Sequence, residues 1–524
     1  MKRNTFVTLP QDQVNPHRGF VLLVVLSVIV LLSLATYQFA DRMTTEREVV
    51  SYYVEESQCR QAAASGIDYM LAMMTSEGFD ILALNETPDV FIARQLGEES
   101  ESESTTRFSV VSGVQMENAE ELQFGIKSEQ GKLNLNQLAQ LDVPLEDQRK
   151  MLMNLPEMTE TIADTILDFI DSDASPRDFG TESDDGSFVV RNAPLTTLEE
   201  LLAISDITTE LLYGEDFNRN GILDPEEDDG EAMLPLDNAD GMLQPGWDHF
   251  LTIWGRESNL QPDGTPKINL NMDNIEQLQA DLTVEFGQAL AEFVVIYRQN
   301  GAAKQEQENS ANSGNGGSSS RNNQSSSSGT QLIQPQRPGS SGQGNNSSSQ
   351  SASFRIRSVF ELFDARTTPL DAAQGDTLLS PWTTSDLSFM EQIYDTLTLS
   401  EGEIIPGRID INHASYEVLV GLPSSSESLA EYIVSHAGEF EFPADLLANG
   451  VVDIDTMRKI DPFLTTRSGV YRFRSIGFSA QSEIQISIEV VIDIAGDQPL
   501  ILEHRELPSN ASKWSAKQLL GTAQ

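Results

Sequence analysis

Residues 19–40 read GFVLLVVLSVIVLLSLATYQFA, and this stretch decides the fold of the protein. It contains no charged residue and no proline. Its length is about what one helix needs to cross a ~30 Å hydrocarbon core. A short leader that ends in His17-Arg18 precedes it. The sequence therefore predicts one membrane-spanning helix at residues 20–40.

The predicted helix continues well past the membrane. Between Phe20 and Glu77 there is no proline, and Gly66 is the single glycine. After Asp41 the apolar residues recur at helical spacing, which predicts an amphipathic second half. At ~1.5 Å per residue, residues 20–77 form one rod roughly 80 Å long.

This N-terminus resembles that of type IV pilins and type II secretion pseudopilins. The shared features are a basic leader, the pair Gly19-Phe20, an apolar half-helix and an amphipathic half-helix. The resemblance implies that a prepilin peptidase removes residues 1–19 by cutting between Gly19 and Phe20, and that the new N-terminus is methylated. The alternative is an uncleaved signal anchor in which the Gly-Phe pair is accidental.

Val24 is an informative departure from that family. Its members usually carry a glutamate as the fifth residue after the cut. A carboxylate in the membrane is costly unless it is paired, and its usual partner is the N-terminal amine of a neighbouring subunit. A subunit without the acid needs no earlier neighbour. In this respect the chain resembles the type II secretion minor pseudopilin K, which is thought to start the pseudopilus and sit at its tip.

The charge of the chain limits its partners and its topology. With 81 Asp and Glu against 33 Lys and Arg, the formal net charge is -48, which disfavours nucleic acid. Lys2, Arg3 and Arg18 precede the apolar run, so the positive-inside rule keeps the leader cytoplasmic. For a pseudopilin this means a single-pass protein of the inner membrane with most of the chain periplasmic. Cys59 is the only cysteine, which excludes an intramolecular disulfide.

Strand patterns flank a long, mainly helical region. Alternating strands are predicted within residues 78–130 and again within 468–506. We therefore predict an α+β fold in which the N-terminal helix packs on a small antiparallel pilin-type sheet that carries a large inserted α-domain. The predicted parts are a leader at 1–19, the helix at 20–77, pilin-body strands at 78–130, the inserted domain at 131–467, C-terminal strands at 468–506 and a tail at 507–524.

One part of the inserted region has a different composition. Residues 301–353 are rich in Ser, Gly and Asn, and no Asp or Glu occurs from Asn309 to Ser353. Such a segment cannot bury enough apolar surface to offset the entropy of ordering it. We predict that it is disordered, and the pseudopilin family usually lacks so long an insert.

A hexapeptide occurs in three copies along the inserted region. The copies are GKLNLN at 131–136, PKINLN at 266–271 and GRIDIN at 407–412. Each alternates apolar and polar residues and ends in an asparagine that can cap a helix, which predicts a short strand followed by a helix. The alternative is three unrelated strand-to-helix junctions.

Residues 162–202 also resemble the α-domain of pseudopilin K, in a succession of helix, Asp-Ser-Asp loop, Gly-x-Glu and Leu-Glu-Glu-Leu. Residues 407–467 resemble a helix-hairpin-helix, and the functional alternative there is DNA binding. DNA-binding hairpins use a Gly-x-Gly turn and basic neighbours to hold phosphate. This hairpin reads Ser424-Ser425-Ser426-Glu427, with Glu431 close by, so we interpret it as a packing module.

Residues 216–227, DFNRNGILDPEE, match the EF-hand calcium loop. Calcium prefers six to eight oxygen ligands on a flexible loop. The predicted calcium ligands are Asp216, Asn218, Asn220, the Ile222 carbonyl, Asp224 and Glu227. The alternative is a solvated acidic turn, and Pro225 and the run after Glu227 do not predict the usual exiting helix. Calcium binding in the α-domain is also what the resemblance to pseudopilin K implies.

A second candidate metal site contains Asp171, Asp173, Glu182 and Asp184. Its carboxylates are dense, but their spacing is not diagnostic, and a plain acidic loop is an equal alternative. No catalytic set is recognised, because the five histidines are scattered along the chain.

The sequence thus predicts a non-enzymatic tip component of the type II secretion pseudopilus that initiates assembly for protein secretion across the outer membrane. The implied partners are the I-type and J-type minor pseudopilins, the major pseudopilin, prepilin peptidase and the inner membrane. The competing hypothesis is a membrane-anchored helix-hairpin-helix protein that binds DNA or another ligand.

Overall fold

The chain folds into two compact units, seen here in a computed structural model. Unit 1 comprises residues 1–128, 208–249 and 470–524, and unit 2 comprises residues 129–207 and 250–469. The structure describes residues 17–76, 79, 84, 87–95, 106–115, 118–141, 143–181, 191–219, 223–224, 227–230, 239–303, 354–369, 377–480, 482, 484–507 and 514–521. The sequence-based boundaries place residues 208–249 in the inserted domain, whereas the structure includes them in unit 1.

The N-terminal helix spans His17–Met74. The other described helices are Leu135–Leu138, Leu145–Leu152, Glu160–Ile170, Thr209–Tyr213, Ile275–Phe286, Gln288–Asn300, Met390–Thr396, Tyr416–Gly421, Glu427–Ser435, Asp445–Ala448, Ile454–Ile460 and Ala516–Leu519. The strands are β1 Arg94–Gln95, β2 Thr106–Gln115, β3 Asn118–Phe124, β4 Lys127–Ser128, β5 Leu133–Asn134, β6 Leu251–Thr252, β7 Arg256–Ser258, β8 Ile268–Asn269, β9 Arg366–Thr367, β10 Leu378–Leu379, β11 Leu397–Thr398, β12 Ile404–Pro406, β13 Ile409–Asp410, β14 Leu464–Thr465, β15 Val470–Ser479, β16 Gln485–Asp493 and β17 Leu500–Glu506.

Unit 1 is built on an antiparallel sheet with the order β1-β2-β15-β16-β17, in which β3 pairs with β2 and β4 pairs with β15. The strands on either side of residue 129 and residue 469 thus join into one sheet, although more than 300 residues separate β2 from β15 in sequence (from 115 to 470). The predicted α+β class, with a long apolar helix packed on an antiparallel sheet, is confirmed.

The core of unit 1 lies between the N-terminal helix and one face of the sheet. Cys59, Ala63 and Met70 of the helix pack with Phe108 and Phe473 of the strands. Gly477 of β15 lies so close to the helix that a Cβ atom there would overlap the carbonyl oxygen of Cys59. Next to it, the Ser475 hydroxyl donates to the Ala63 carbonyl at 2.7 Å. Small residues on both elements therefore set the distance between helix and sheet.

The opposite face of the sheet carries a second, smaller apolar cluster. Because side chains alternate along a strand, Ile476 and Phe478 lie on the side away from Gly477. They are covered there by Trp514 and Leu519 from the C-terminal segment. The Ser109 hydroxyl donates to the Leu519 carbonyl at 2.8 Å, which ties that segment to β2.

Unit 2 contains the three hexapeptide copies, and the structure shows that they are equivalent. Each copy forms a two-residue strand that pairs in parallel with a downstream Leu-Thr strand: β5 with β6, β8 with β11 and β13 with β14. The parallel partners are Leu251-Thr252, Leu397-Thr398 and Leu464-Thr465. The interpretation as three unrelated junctions is therefore wrong.

The final asparagine of each copy makes the same pair of hydrogen bonds. Its amide donates to a downstream carbonyl, and its side-chain oxygen accepts from a backbone N–H of that same residue. The pairs are Asn136 with Leu195 at 2.9 and 2.7 Å, Asn271 with Ile356 at 2.8 and 2.9 Å, and Asn412 with Phe440 at 2.9 and 3.2 Å. A side-chain amide satisfied in both directions fixes the path of the returning chain. The hexapeptide is thus the start of a recurring module.

The middle module is nested within the chain. The antiparallel pair β7 and β12 brings Ser258 opposite Ile404, so residues 259–403 leave and return at one point. Within this module the Arg298 guanidinium donates to the Phe354 carbonyl at 2.8 Å, and the Phe354 N–H donates to the Arg298 carbonyl at 3.0 Å. Residues 304–353, which include most of the predicted disordered segment, lie outside the described residues.

We expect Gly477→Ala to destabilise unit 1 by about 2 kcal/mol or more, because the added methyl group meets backbone rather than a mobile side chain. Gly496→Ala is the matched control, since a Cβ atom at Gly496 meets nothing within 4 Å. Thermal unfolding of the two variants in detergent measures the difference. Equal melting temperatures would show that the helix and β15 do not approach as closely as described.

Candidate functional site

Most of the exposed large hydrophobic side chains of the described residues lie on the N-terminal helix, between Phe20 and Val54. Its segment Phe20–Met74 contains a window of mean hydropathy 2.7, and among the described residues it is the helix that is long and apolar enough to cross a membrane by length and composition. The Gly19–Phe20 bond, where cleavage is predicted, lies inside the first turn of the helix His17–Met74. A single-pass membrane anchor fits this arrangement.

The predicted calcium loop lies in unit 1, after the helix Thr209–Tyr213. The structure describes Asp216, Asn218, Asp224 and Glu227 and brings them together, whereas Asn220 and Ile222 lie outside the described residues. The Asn218 amide donates to Asp224 Oδ2 at 2.8 Å. The Glu227 carboxylate accepts the backbone N–H of Asn218 at 3.4 Å and that of Asp224 at 3.0 Å. Residues 227–230 form bends and a turn in place of an exiting helix, as the sequence indicates.

The loop buries its negative charge. Asp224 and Glu227 are 7% and 4% exposed. Burial raises the pKa of Glu227 to about 7, two backbone N–H groups oppose this rise, and the charges of Asp216 and Asp224 add to it. A cation among these oxygens would offset the repulsion, so the donor set fits calcium. Within the described ranges, however, no three His, Cys, Asp or Glu side chains form a preassembled metal centre, and the calcium site stays a prediction.

The second candidate site is only partly described. Asp171 and Asp173 line a cavity of about 530 Å³ in unit 2, together with Ser175 and Arg177, while Glu182 and Asp184 lie outside the described residues. Arg177 lies 3.4 Å from Asp168 and 3.8 Å from Asp171, so these carboxylates already have a positive neighbour. Burial, and next the charge of Asp173, raise the pKa of Asp171. The presence of Arg177 therefore favours a plain acidic loop over a metal site here.

Arg177 and Arg474 contribute contacts to the two candidate sites, and the sequence alone did not identify either residue. Arg177 also donates through its backbone N–H to Asp168 at 3.2 Å, which fastens the Asp-Ser-Asp loop to the helix Glu160–Ile170. In unit 1, Arg474 donates to the carbonyl of Arg219 in the calcium loop at 2.8 Å. These partners are separated by up to 255 residues, and neither contact has a local sequence signal.

The third module contains the helix-hairpin-helix-like segment. Its helices Tyr416–Gly421 and Glu427–Ser435 are joined by a short turn in which Ser424 adopts a φ of 65°. The Ser426 hydroxyl caps the second helix by accepting the Leu429 N–H at 3.3 Å. Glu427 occupies the first turn, where a phosphate-binding hairpin would leave its amides open to an anion. The geometry fits the predicted packing role.

Taken together, these features define an α+β protein with a helix-on-sheet body, a modular helical unit and an N-terminal helix long and apolar enough to cross a membrane. Residues 131–213 match the first-domain family model of the type II secretion system (T2SS), protein K. This segment is therefore similar to the first domain of protein K, and the resemblance predicted from the sequence is confirmed there.

A comparison with solved structures found a chain described as the crystal structure of the GspK-GspI-GspJ complex from the enterotoxigenic Escherichia coli type 2 secretion system. The identity is 14% and the TM-score 0.32, and the match covers 88% of this chain and 99% of that chain. A comparison with curated proteins found no match.

We expect Glu227→Gln to change the pH dependence of unfolding when calcium is chelated. The folded-state pKa of about 7 lies above the ordinary 4.5, so ionisation of Glu227 removes stability as the pH rises from about 4.5 to about 7. The glutamine variant cannot ionise, and its melting temperature should exceed that of the parent at pH 8 but not at pH 4. Thermal unfolding in chelator across this range measures the difference, and a constant difference at every pH would contradict the prediction.

Proposed function

We propose that the protein is a non-enzymatic minor component of the type II secretion pseudopilus that occupies the tip and initiates assembly. The observation that carries the proposal is the protein K match at residues 131–213 in the same chain as an apolar helix packed on an antiparallel sheet. In this proposal residues 20–40 anchor the chain in the inner membrane, and the chain after them lies in the periplasm. Prepilin peptidase processes the chain at Gly19-Phe20, and methylation of Phe20 follows.

The initiating role depends on Val24. This position lies in the apolar part of the helix His17–Met74. A subunit that joins an existing filament can pair a membrane carboxylate with its neighbour, but the first subunit has no such neighbour. An apolar residue at this position therefore removes a cost that only the first subunit would bear. The proposed partners are the I-type and J-type minor pseudopilins, followed by the major pseudopilin.

Val24→Glu tests the initiating role. Val24 is the fifth residue of the predicted span, and an unpaired carboxylate inside the span is costly, up to about 2.5–3.5 kcal/mol at the helix centre. We therefore expect loss of secretion and of co-purification with small pilin-like proteins. Val24→Ala is the control and should leave both unchanged. The readouts are the secreted protein in the medium of the native host and the mass of the membrane-extracted chain, which should begin at Phe20. Normal secretion by Val24→Glu, or a mature chain that begins at Met1, would overturn the proposal.

We also propose a structural calcium ion in the loop at residues 216–227. Its support is the ligand spacing and the burial of Asp224 and Glu227 beside Asp216. The ion supplies positive charge to these carboxylates and holds the loop closed, and it takes no part in a reaction. Asp216, Asn218, Asp224 and Glu227 are the described side chains that would hold it, with Asn220 and the Ile222 carbonyl as the other predicted ligands.

Calcium in excess should raise the melting temperature, because a ligand that binds only the folded state stabilises it by mass action. The double variant Asp216→Ala with Glu227→Ala should lose this response. Asp171→Ala is the control that separates the two candidate sites, and it should keep the response. An unchanged melting curve of the parent with calcium and with chelator would reject the ion.

The alternative function is a membrane-tethered helix-hairpin-helix protein that binds DNA. The acidic first turn at Glu427 and the net charge of -48 speak against it. A gel shift at low salt separates the two functions, since DNA binding would favour the alternative.

A further inference from the structure

The first module is tied together by a buried carboxylate. Glu129 is 1% exposed and lies three residues before Lys132, the basic second residue of the first hexapeptide. Its Oε1 lies 3.2 Å from Lys132 Nζ, and its Oε2 accepts the hydroxyl of Thr252 at 2.7 Å. Thr252 belongs to β6, the strand that pairs in parallel with the hexapeptide. One side chain thus joins both strands of the parallel pair.

The third module contains the same arrangement around Glu257, which is also 1% exposed. Glu257 Oε1 accepts from Arg408 Nε at 2.6 Å, and its Oε2 accepts the Thr465 hydroxyl at 2.8 Å. Arg408 is the second residue of the third hexapeptide, and Thr465 ends β14, the parallel partner of that hexapeptide. Glu257 is therefore the counterpart of Glu129. The difference lies in the sequence, because Arg408 follows Glu257 by 151 positions.

The extra positions are those of the middle module, residues 259–403. The antiparallel pair β7 and β12 brings the two ends of this module together, with Ser258 opposite Ile404. Without the middle module, Glu257 would precede Arg408 by a few residues, as in the first module. The third module is thus continuous in sequence once the middle module is taken out.

The middle module makes its own contacts at the equivalent positions. Lys267, the second residue of its hexapeptide, donates to the Tyr394 carbonyl at 2.7 Å. The Thr398 hydroxyl of its parallel strand β11 accepts the Ser400 N–H at 3.2 Å. All four residues lie within residues 259–403, so removal of the module would break neither contact across its boundary.

A pair of hydrogen bonds docks the middle module on the third. The Ser358 hydroxyl donates to Asp461 Oδ2 at 2.8 Å, and the Tyr394 hydroxyl donates to Asp461 Oδ1 at 3.2 Å. Asp461 is 6% exposed, and burial raises its pKa. Removal of the middle module would open this carboxyl to water, which replaces the two hydroxyls as hydrogen-bond partner. Loss of the contact therefore leaves Asp461 solvated rather than buried without a partner.

We propose that residues 259–403 are a separable domain inserted into the third module, and that Glu257 holds the third module together across the insertion. The proposal rests on the repeated carboxylate and on the paired ends of the insertion, and it is independent of the proposed function. An inserted domain whose ends meet can be removed without moving Glu257 relative to Arg408. The third module then keeps its fold without the middle one.

Two deletions of equal length test the insertion. The first replaces residues 259–403 with Asn-Gly, a two-residue turn that suits an antiparallel pair, and it keeps Glu257. The second replaces residues 256–400 with the same turn and removes Glu257 together with β7. We expect the first to unfold in a cooperative thermal transition in detergent, as the full chain does, and the second to show no transition for unit 2. If the two deletions behave alike, whether folded or unfolded, the proposal is overturned.

Glu257→Gln assigns the carboxylate to its module, in the full chain and in the first deletion. The substitution removes the charge that pairs with Arg408, and breaking a buried ion pair is strongly destabilising. We expect the melting temperature to fall by about 5 °C or more in both chains. Asp455→Asn is the control, because Asp455 pairs with Arg458 at 2.8 Å but its side chain is 76% exposed, and it should shift the melting temperature by less than about 2 °C.

A fall in the full chain alone would assign Glu257 to the middle module and overturn the inference. No fall in either chain would overturn the role of Glu257 in holding the third module together. A similar fall in both chains, with Asp455→Asn unchanged, is the result that the proposal requires.

Discussion

The structure of unit 1 depends on the contact between the N-terminal helix and β15. Gly477 allows the strand to reach the backbone of the helix at Cys59, and Ser475 donates to the Ala63 carbonyl beside it. This close approach buries Phe108, Phe473 and the helix residues around Met70 in one core. The apolar first half of the helix is thereby left free of the body, which suits a membrane anchor that continues into a soluble domain.

Unit 2 shows how a small sequence signal can mark a large structural repeat. Each hexapeptide supplies a strand and an asparagine that fixes a chain segment tens of residues downstream. The prediction that this asparagine caps the next helix is wrong, because the N-cap residues are Asn134, Asn274 and Ser415, and the final asparagine bonds to the returning chain instead. In each module an acidic side chain of a short helix accepts the backbone N–H of the residue four positions earlier: Glu200 from Thr196, Glu361 from Arg357 and Asp445 from Glu441. The middle copy lies in sequence between β7 and β12. Because these two strands pair with each other, the middle module begins and ends at the same place in unit 2.

In the described part of this acidic chain, buried carboxylates such as Glu489 and Asp168 are paired with arginine side chains. Glu489 is buried among Arg472, Arg474 and Arg505 on the sheet, and Asp168 is buried beside Arg177 in unit 2. In the loop at residues 216–227, burial and the charges of Asp216 and Asp224 raise the pKa of Glu227. A cation among these carboxylates would offset both effects, and this is the physical basis for proposing one there.

The sequence by itself determined the features that local patterns encode. An uncharged run the length of a membrane predicts its helix, alternation predicts the strands, and the hexapeptides and the EF-hand spacing mark their loops, since each depends on neighbours a few residues apart. Only the tertiary structure decided that β2 and β15 share a sheet, that residues 208–249 join that body, and that Arg474 reaches Arg219. These contacts join residues hundreds of positions apart, and their energies come from burial and geometry that no local pattern records.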